Sequence, residues 1–94
     1  MVCIPNAIPN LVRYDQLRQK LRAAVTATVH LENGQSWHIS EAHITLSETA
    51  EWVAMERLCC PFLTFQLEPA TESDYRLTLT GPPGTNDFLA AEFR

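Results

Sequence analysis

The sequence predicts an α+β fold: a two-layer sandwich of an antiparallel four-stranded sheet with helices on one face. Three observations predict it. Two segments carry apolar stripes at helical spacing, three of four strand segments alternate with period two, and the elements run in the order α-ββ-α-ββ-α. Hairpins suit an antiparallel sheet, and clean alternation suits a sheet with one wet face.

Asn10 to Ala24 reads as the first helix. Asn10 is a good N-cap, and Leu11, Tyr14, Leu17 and Leu21 form one stripe. Pro5 and Pro9 keep the preceding stretch extended or irregular. Val25 to Leu31 alternates, with Val25, Ala27, Val29 and Leu31 on one face and Thr26, Thr28 and His30 on the other. Asn33-Gly34 marks a hairpin. A three-residue loop, Glu32-Asn33-Gly34, pairs Val29 with Trp37 and Ala27 with Ile39 and keeps both faces pure. That register predicts Gly34 in the left-handed region with a G1 bulge. It puts His30 and His38 on one wet face with Thr28, Arg76 and Thr78.

Leu46 to Cys59 reads as the second helix, with Thr45 and Glu48 spaced for a capping box. Trp52, Met55 and Cys59 make its stripe. Pro61 ends it, because the residue before a proline is pushed out of the α region. Ser40 to Thr45 also permits an earlier start. Phe62 to Glu68 and Tyr75 to Thr80 are the remaining strands. Gly81-Pro82-Pro83-Gly84 breaks the chain before a short last helix with Phe88, Leu89 and Phe93 apolar, capped by Thr85.

Composition bounds the rest. At 94 residues and 46 % hydrophobic, residues 1–94 form a single domain that needs no metal or disulfide merely to fold. Seven Lys and Arg stand against 11 Asp and Glu, with no basic run, so the footprint of a nucleic-acid or anionic-membrane binder is missing. No apolar stretch approaches the roughly 20 residues of a membrane helix, and the first residues do not read as a secretory signal.

The chemical handle is three cysteines: Cys3, Cys59 and Cys60. An odd number cannot pair completely. Neighbouring Cα atoms are about 3.8 Å apart, below the roughly 4.4–6.8 Å that disulfides span, so a Cys59–Cys60 bridge would be strained. The expectation is therefore a reduced, cytoplasmic protein with free thiols. A vicinal thiol pair suits a thiophilic ion such as zinc, copper or mercury, with Cys3 as a third sulfur. The spacing does not fit a four-ligand zinc ribbon. Against this stands plain burial: Cys59 falls on the Trp52 stripe, and cysteine packs as a small hydrophobe. Cys60 is expected to be turned outward by Pro61. A thiol enzyme is disfavoured, because Cys59 closes a helix at its C-terminus, where the dipole opposes a thiolate. Glu56, three and four residues before the pair, reads as an oxygen ligand, as a buried partner for a thiol, or as a solvated helix residue, the commonest state of a helix glutamate. Gly81 to Gly84 could present amides to an anion, but its prolines remove two donors.

Glu56-Arg57-Leu58-Cys59-Cys60-Pro61-Phe62-Leu63-Thr64-Phe65, with Leu77-Thr78-Leu79-Thr80-Gly81-Pro82-Pro83-Gly84 and Phe88-Leu89, resembles a family of small bacterial proteins. These carry an E-x-x-C-C-P-F-x-x-F core and a later L-x-L-x-G-P-x-G segment, often with a cysteine near the start, which Cys3 matches. The resemblance covers nearly the whole chain, apart from a longer Ser40 to Leu46 connection. It implies a recurring domain and ties Cys3, Cys59 and Cys60 into one motif, but it implies no activity. Two readings follow: soft-metal or thiol-dependent binding through the vicinal cysteines, or a non-catalytic interaction module, homodimeric, with the cysteines as core residues. The second rests on the many aromatic residues for so few core positions.

Overall fold

The computed structural model describes residues 4–92. A single 3-10 turn, Pro5–Ala7, precedes α1 (Leu11–Ala24), β1 (Val25–Leu31), β2 (Gly34–Ser40), α2 (Leu46–Cys59), β3 (Thr64–Pro69), β4 (Asp74–Thr80) and α3 (Thr85–Glu92). The sheet is antiparallel in the order β1-β2-β4-β3, so β2 and β4 are central. This is the α+β architecture the sequence predicts.

The helix ends follow local chemistry. The Asn10 side chain accepts from the Arg13 amide and caps α1. Thr45 and Glu48 make the full capping box at α2. The connection before α2 is fixed from the sheet: Ile44 is buried, and the buried Tyr75 hydroxyl of β4 donates to its carbonyl at 2.9 Å and also meets Thr49. That anchor settles the helix start at Leu46.

The core lies between the helices and one sheet face. Leu17, Leu21 and Ala24 of α1, Trp52 and Met55 of α2, and Leu89 of α3 meet Trp37, Ile39, Tyr75, Leu77 and Leu79. Trp52 is central. Tyr14 stacks on it at 6.5 Å and Phe65 meets it edge-on at 6.3 Å. Truncating such a residue costs about 3–5 kcal/mol. Phe62 packs edge-on against Phe88 at 5.0 Å, which ties α3 to the chain just after α2.

The first hairpin departs from expectation. Leu31 pairs with Gly34 across a two-residue loop, and Thr28 sits opposite Trp37, His30 opposite Gln35 and Val29 opposite Ser36. A bulge between Val25 and Ala27 restores Val25 opposite Ile39. The one-residue shift turns Thr28 and His30 toward the helical side and Ala27, Val29 and Leu31 toward the open face. Val29 and Leu31 are accordingly 48 % and 38 % exposed. Gly34 does not adopt a positive φ; Gly84 does. Gly34 is glycine for a different reason. A Cβ there would fall on the Leu79 carbonyl oxygen and lie 2.9 Å from the Thr80 Cα of β4. The loop is also held from outside, since Gly81 donates to the Asn33 carbonyl and the Asn86 amide bridges the Leu31 and Glu32 carbonyls. These long-range contacts override the local turn rule.

Candidate functional site

The end of α2 carries the site. Residues three and four apart share a helix face, so Glu56 sits one turn above Cys59 and Cys60. Cys60 leaves the helix at φ −122° and ψ 73°, yet its amide still donates to the Glu56 carbonyl at 2.7 Å. That bond keeps the residue over the last turn. Its Sγ–H then points back and donates to Glu56 Oε1 at 3.1 Å. Tyr14, from α1, donates its hydroxyl to the other carboxylate oxygen, Oε2. Two elements therefore converge on one carboxylate.

All three groups are inside: Glu56 and Cys59 are each 2 % exposed and Cys60 is 0 %. The expectation that Pro61 turns Cys60 outward fails. Pro61 itself is exposed, while the capped turn folds Cys60 inward. The solvated reading of Glu56 fails too. Ligand atoms of Glu56, Cys59 and Cys60 lie within 4.8 Å of one another, one such group among the described residues.

Burial sets the protonation. It pushes the Glu56 carboxyl above its ordinary range, against the hydrogen bonds from Tyr14 and Cys60 that pull it down. Burial also pushes the Cys60 thiol well above the usual thiol range, helped by its hydrogen bond to Glu56 and by the nearby acidic groups Glu56 and Glu92. The Tyr14 hydroxyl is raised in the same way, by burial first and Glu56 second. Cys60 is thus a protonated thiol beside a carboxyl group, which does not favour nucleophilic chemistry.

Cys59 differs from its neighbour. It takes part in a disulfide, and Cys60 does not. The expectation of free thiols throughout is corrected at Cys59. A Cys59–Cys60 bridge is not formed, in keeping with their adjacency. The third predicted ligand, Cys3, lies outside the described residues. The Ile4 amide donates to the Cys59 carbonyl at 2.8 Å, which lays the start of the described chain across the end of α2.

The histidines do not join this cluster. His30 and His38 point to opposite sheet faces, because of the hairpin shift, and His43 is exposed on the connection before α2. Gly81 to Gly84 is a structural turn, closed by the Thr85 hydroxyl and amide on the Pro82 carbonyl at 2.6 and 3.2 Å. Sequence reasoning missed Tyr14 as a site residue. It placed Tyr14 on the apolar stripe, and only the need of a buried phenol for a partner hinted at more. It also missed a cavity of about 290 Å³ between α1, the sheet and α3, lined by Arg18, Arg22, Thr28, Gln35 and Trp37 among others.

Among the described residues, no helix is long and apolar enough to cross a membrane. No family model matches the chain, and neither the curated proteins nor the solved structures compared with it give a match.

Proposed function

We propose that the protein binds a thiophilic metal ion through Cys59 and Cys60, with Glu56 as oxygen donor and Cys3 as a further sulfur. The observation that carries this reading is the convergence of a carboxylate and two sulfurs within 4.8 Å at a buried helix end. Two sulfurs can share one ion only if they are this close, since zinc–thiolate bonds are about 2.3 Å long. Soft sulfur donors select Cu⁺, Hg²⁺ or Zn²⁺ over hard oxygen-loving ions. A closed zinc site wants four protein ligands. Two sulfurs and one oxygen better suit the low coordination numbers of Cu⁺ and Hg²⁺. The site works with Cys59 as a thiolate, so it belongs to the reduced chain, as in a cytoplasmic setting.

The test is a titration of the reduced protein with Cu⁺, Hg²⁺ and Zn²⁺, beside a Cys59→Ser/Cys60→Ser variant whose fold is checked by circular dichroism. Tight stoichiometric binding by the parent alone supports the reading. Equal, weak binding by both proteins overturns it.

A second reading has its own observation. Val29 and Leu31 are exposed on the open face of edge strand β1, which carries no charge and no proline to block pairing. This fits an interaction module, with a second copy as the partner. A dimer in light scattering that Val29→Glu converts to monomer supports it; a monomer at all concentrations overturns it.

A further inference from the structure

The cavity of about 290 Å³ between α1, the sheet and α3 has its origin in the first hairpin. With Thr28 opposite Trp37, β1 turns Thr28 toward the helices and Val29 toward the open face. In the register expected from the alternation, Val29 would stand opposite Trp37 and fill that side. The shorter, polar Thr28 leaves room beside the indole. The remaining walls are apolar: Leu21 of α1, Trp37 of β2 and Leu89 of α3, none more than 5 % exposed. The Trp37 indole N–H donates to Gln35 Oε1 at 2.9 Å, so its one polar atom is engaged within the wall.

The polar side of the same cavity is cationic. Arg18 and Arg22 both line it, four residues apart on one face of α1. Arg18 donates Nη2 to the Glu92 carbonyl of α3, which anchors its guanidinium at the wall. Arg22 is exposed and makes no ion pair among the described residues. Arg13 and Lys20, also on α1, reach Glu51 and Glu48 of α2 instead. Among the described residues no acidic side chain lines the cavity, although the chain carries a net charge of -4. Like charges at this helix spacing repel one another, and an anion placed between them removes the repulsion. A carboxylate matches the planar guanidinium fork through two parallel N–H···O bonds.

We propose that this cavity binds a small carboxylic acid anion with an aromatic or branched apolar body, the carboxylate held by Arg22 and Arg18 and the body lying against Trp37, Leu21 and Leu89. Ligand pockets span roughly 300–1,000 Å³ and combine apolar walls with a few placed polar groups. This one stands at the low end of that range, which suits one small molecule. The two halves of the wall fix the chemical class together. An inorganic anion leaves the apolar walls uncovered, and a neutral apolar molecule leaves the guanidiniums without a counter-charge. Glu56, Cys59 and Cys60 do not line this cavity, so the proposal stands or falls apart from the metal reading.

The experiment titrates the full isotope-labelled chain, without added metal, with phenylacetate, indoleacetate and isocaproate, and reads amide and indole N–H shifts by NMR. At least one acid is expected to bind with a Kd of about 1 mM or tighter. The largest shifts are expected at the Trp37 indole N–H and at the Thr28 and Leu89 amides. The primary amide of the best acid is neutral and of the same shape, and inorganic phosphate is an anion without a body. Each is expected to bind about tenfold more weakly or worse. Arg22→Gln is expected to weaken the best acid about tenfold or more, with an unchanged melting temperature because Arg22 is exposed. Thr28→Ile fills the space with a residue that suits a strand, and is expected to abolish binding with the fold retained. No binding of any of the three acids at about 10 mM overturns the proposal. So do equal binding of the acid and its amide, equal binding by wild type and Arg22→Gln, and shifts confined to another part of the surface. Phosphate bound as tightly as the acids reduces the cavity to a patch for any anion, and overturns it as well.

Discussion

Tyr14→Phe isolates the hydrogen bond that α1 gives to the site. The phenyl ring keeps the stack on Trp52, which is 6.5 Å away and nearly parallel, so the core loses no ring. What disappears is the hydroxyl that donates to Glu56 Oε2. The carboxylate is 2 % exposed, and its other oxygen is engaged by Cys60 at 3.1 Å. Water cannot easily replace the lost donor there. A hydrogen bond to a charged group contributes about 1.5–3 kcal/mol, and one to a neutral group about 0.5–1.5. The expected loss is about 1–3 kcal/mol. For a domain of this size each kcal/mol lowers the melting temperature by about 4–8 °C. Urea unfolding of both proteins, with the disulfide in the same state, measures it as a lower midpoint at unchanged slope. A loss below about 0.5 kcal/mol would refute the claim that Tyr14 supports a buried carboxylate, and place Glu56 in contact with water instead.

Three further outcomes follow from particular contacts. Gly34→Ala drives a methyl group onto the Leu79 carbonyl and the Thr80 Cα, both backbone; it is expected to cost about 3 kcal/mol or more or to part β2 from β4, and a melting temperature within 3 °C of wild type, on the order of 0.5 kcal/mol, would contradict the close approach. Glu48 is held down to about 2 by its hydrogen bond to Lys20 first and by the Thr45 amide second. Its folded pKa lies below the unfolded one, so its contribution is present above the ordinary carboxyl range and is lost as pH falls toward 2; the stability gap between wild type and Glu48→Gln is expected to close along that fall, and a gap that stays constant with pH would contradict it. Cys60 is fully buried with its thiol pushed up, so iodoacetamide at pH 8 is expected to leave it unmodified in the native chain and to alkylate it in urea; rapid native labelling would mean that Cys60 is accessible.

The sequence makes the elements legible where the signal is local. Asn10, Thr45 with Glu48, and Pro61 mark helix ends because caps and proline act within four residues. The alternation of β4 is legible because both of its neighbours follow the same pleat. β1 is different. Its alternation is real, but which face turns inward depends on the turn, and the turn is held by Gly81, Asn86 and the Leu79 carbonyl, all about 45 residues or more away. The site divides in the same way. Glu56, Cys59 and Cys60 share a helix end, which spacing reveals. The inward aim of Cys60 depends on one capping bond, and the arrival of Tyr14 depends on how α1 crosses α2. No local pattern carries either.

A small domain gains little by burying a carboxyl group against a thiol and a phenol. Buried ion and dipole clusters are often no more stabilising than well-packed apolar side chains of similar volume, and removing one partner is the costly change. Tyr14, Glu56 and Cys60 are all satisfied by one another, so the cluster is tolerated, but nothing in the packing of Trp52, Leu17 and Leu21 requires it. Local inconsistency of this kind is what functional sites show. Tyr14→Phe with Glu56→Met removes the donor and the acceptor together and fills the same space with apolar atoms. It is expected to match or exceed wild type in urea, unlike Tyr14→Phe alone, and to bind Hg²⁺ more weakly in the reduced form because the oxygen donor is gone. Calorimetry and urea unfolding on the same preparations read both effects. A double variant that is less stable than wild type by more than about 2 kcal/mol would make the cluster a structural requirement of the fold, and would remove the reason to see a site there.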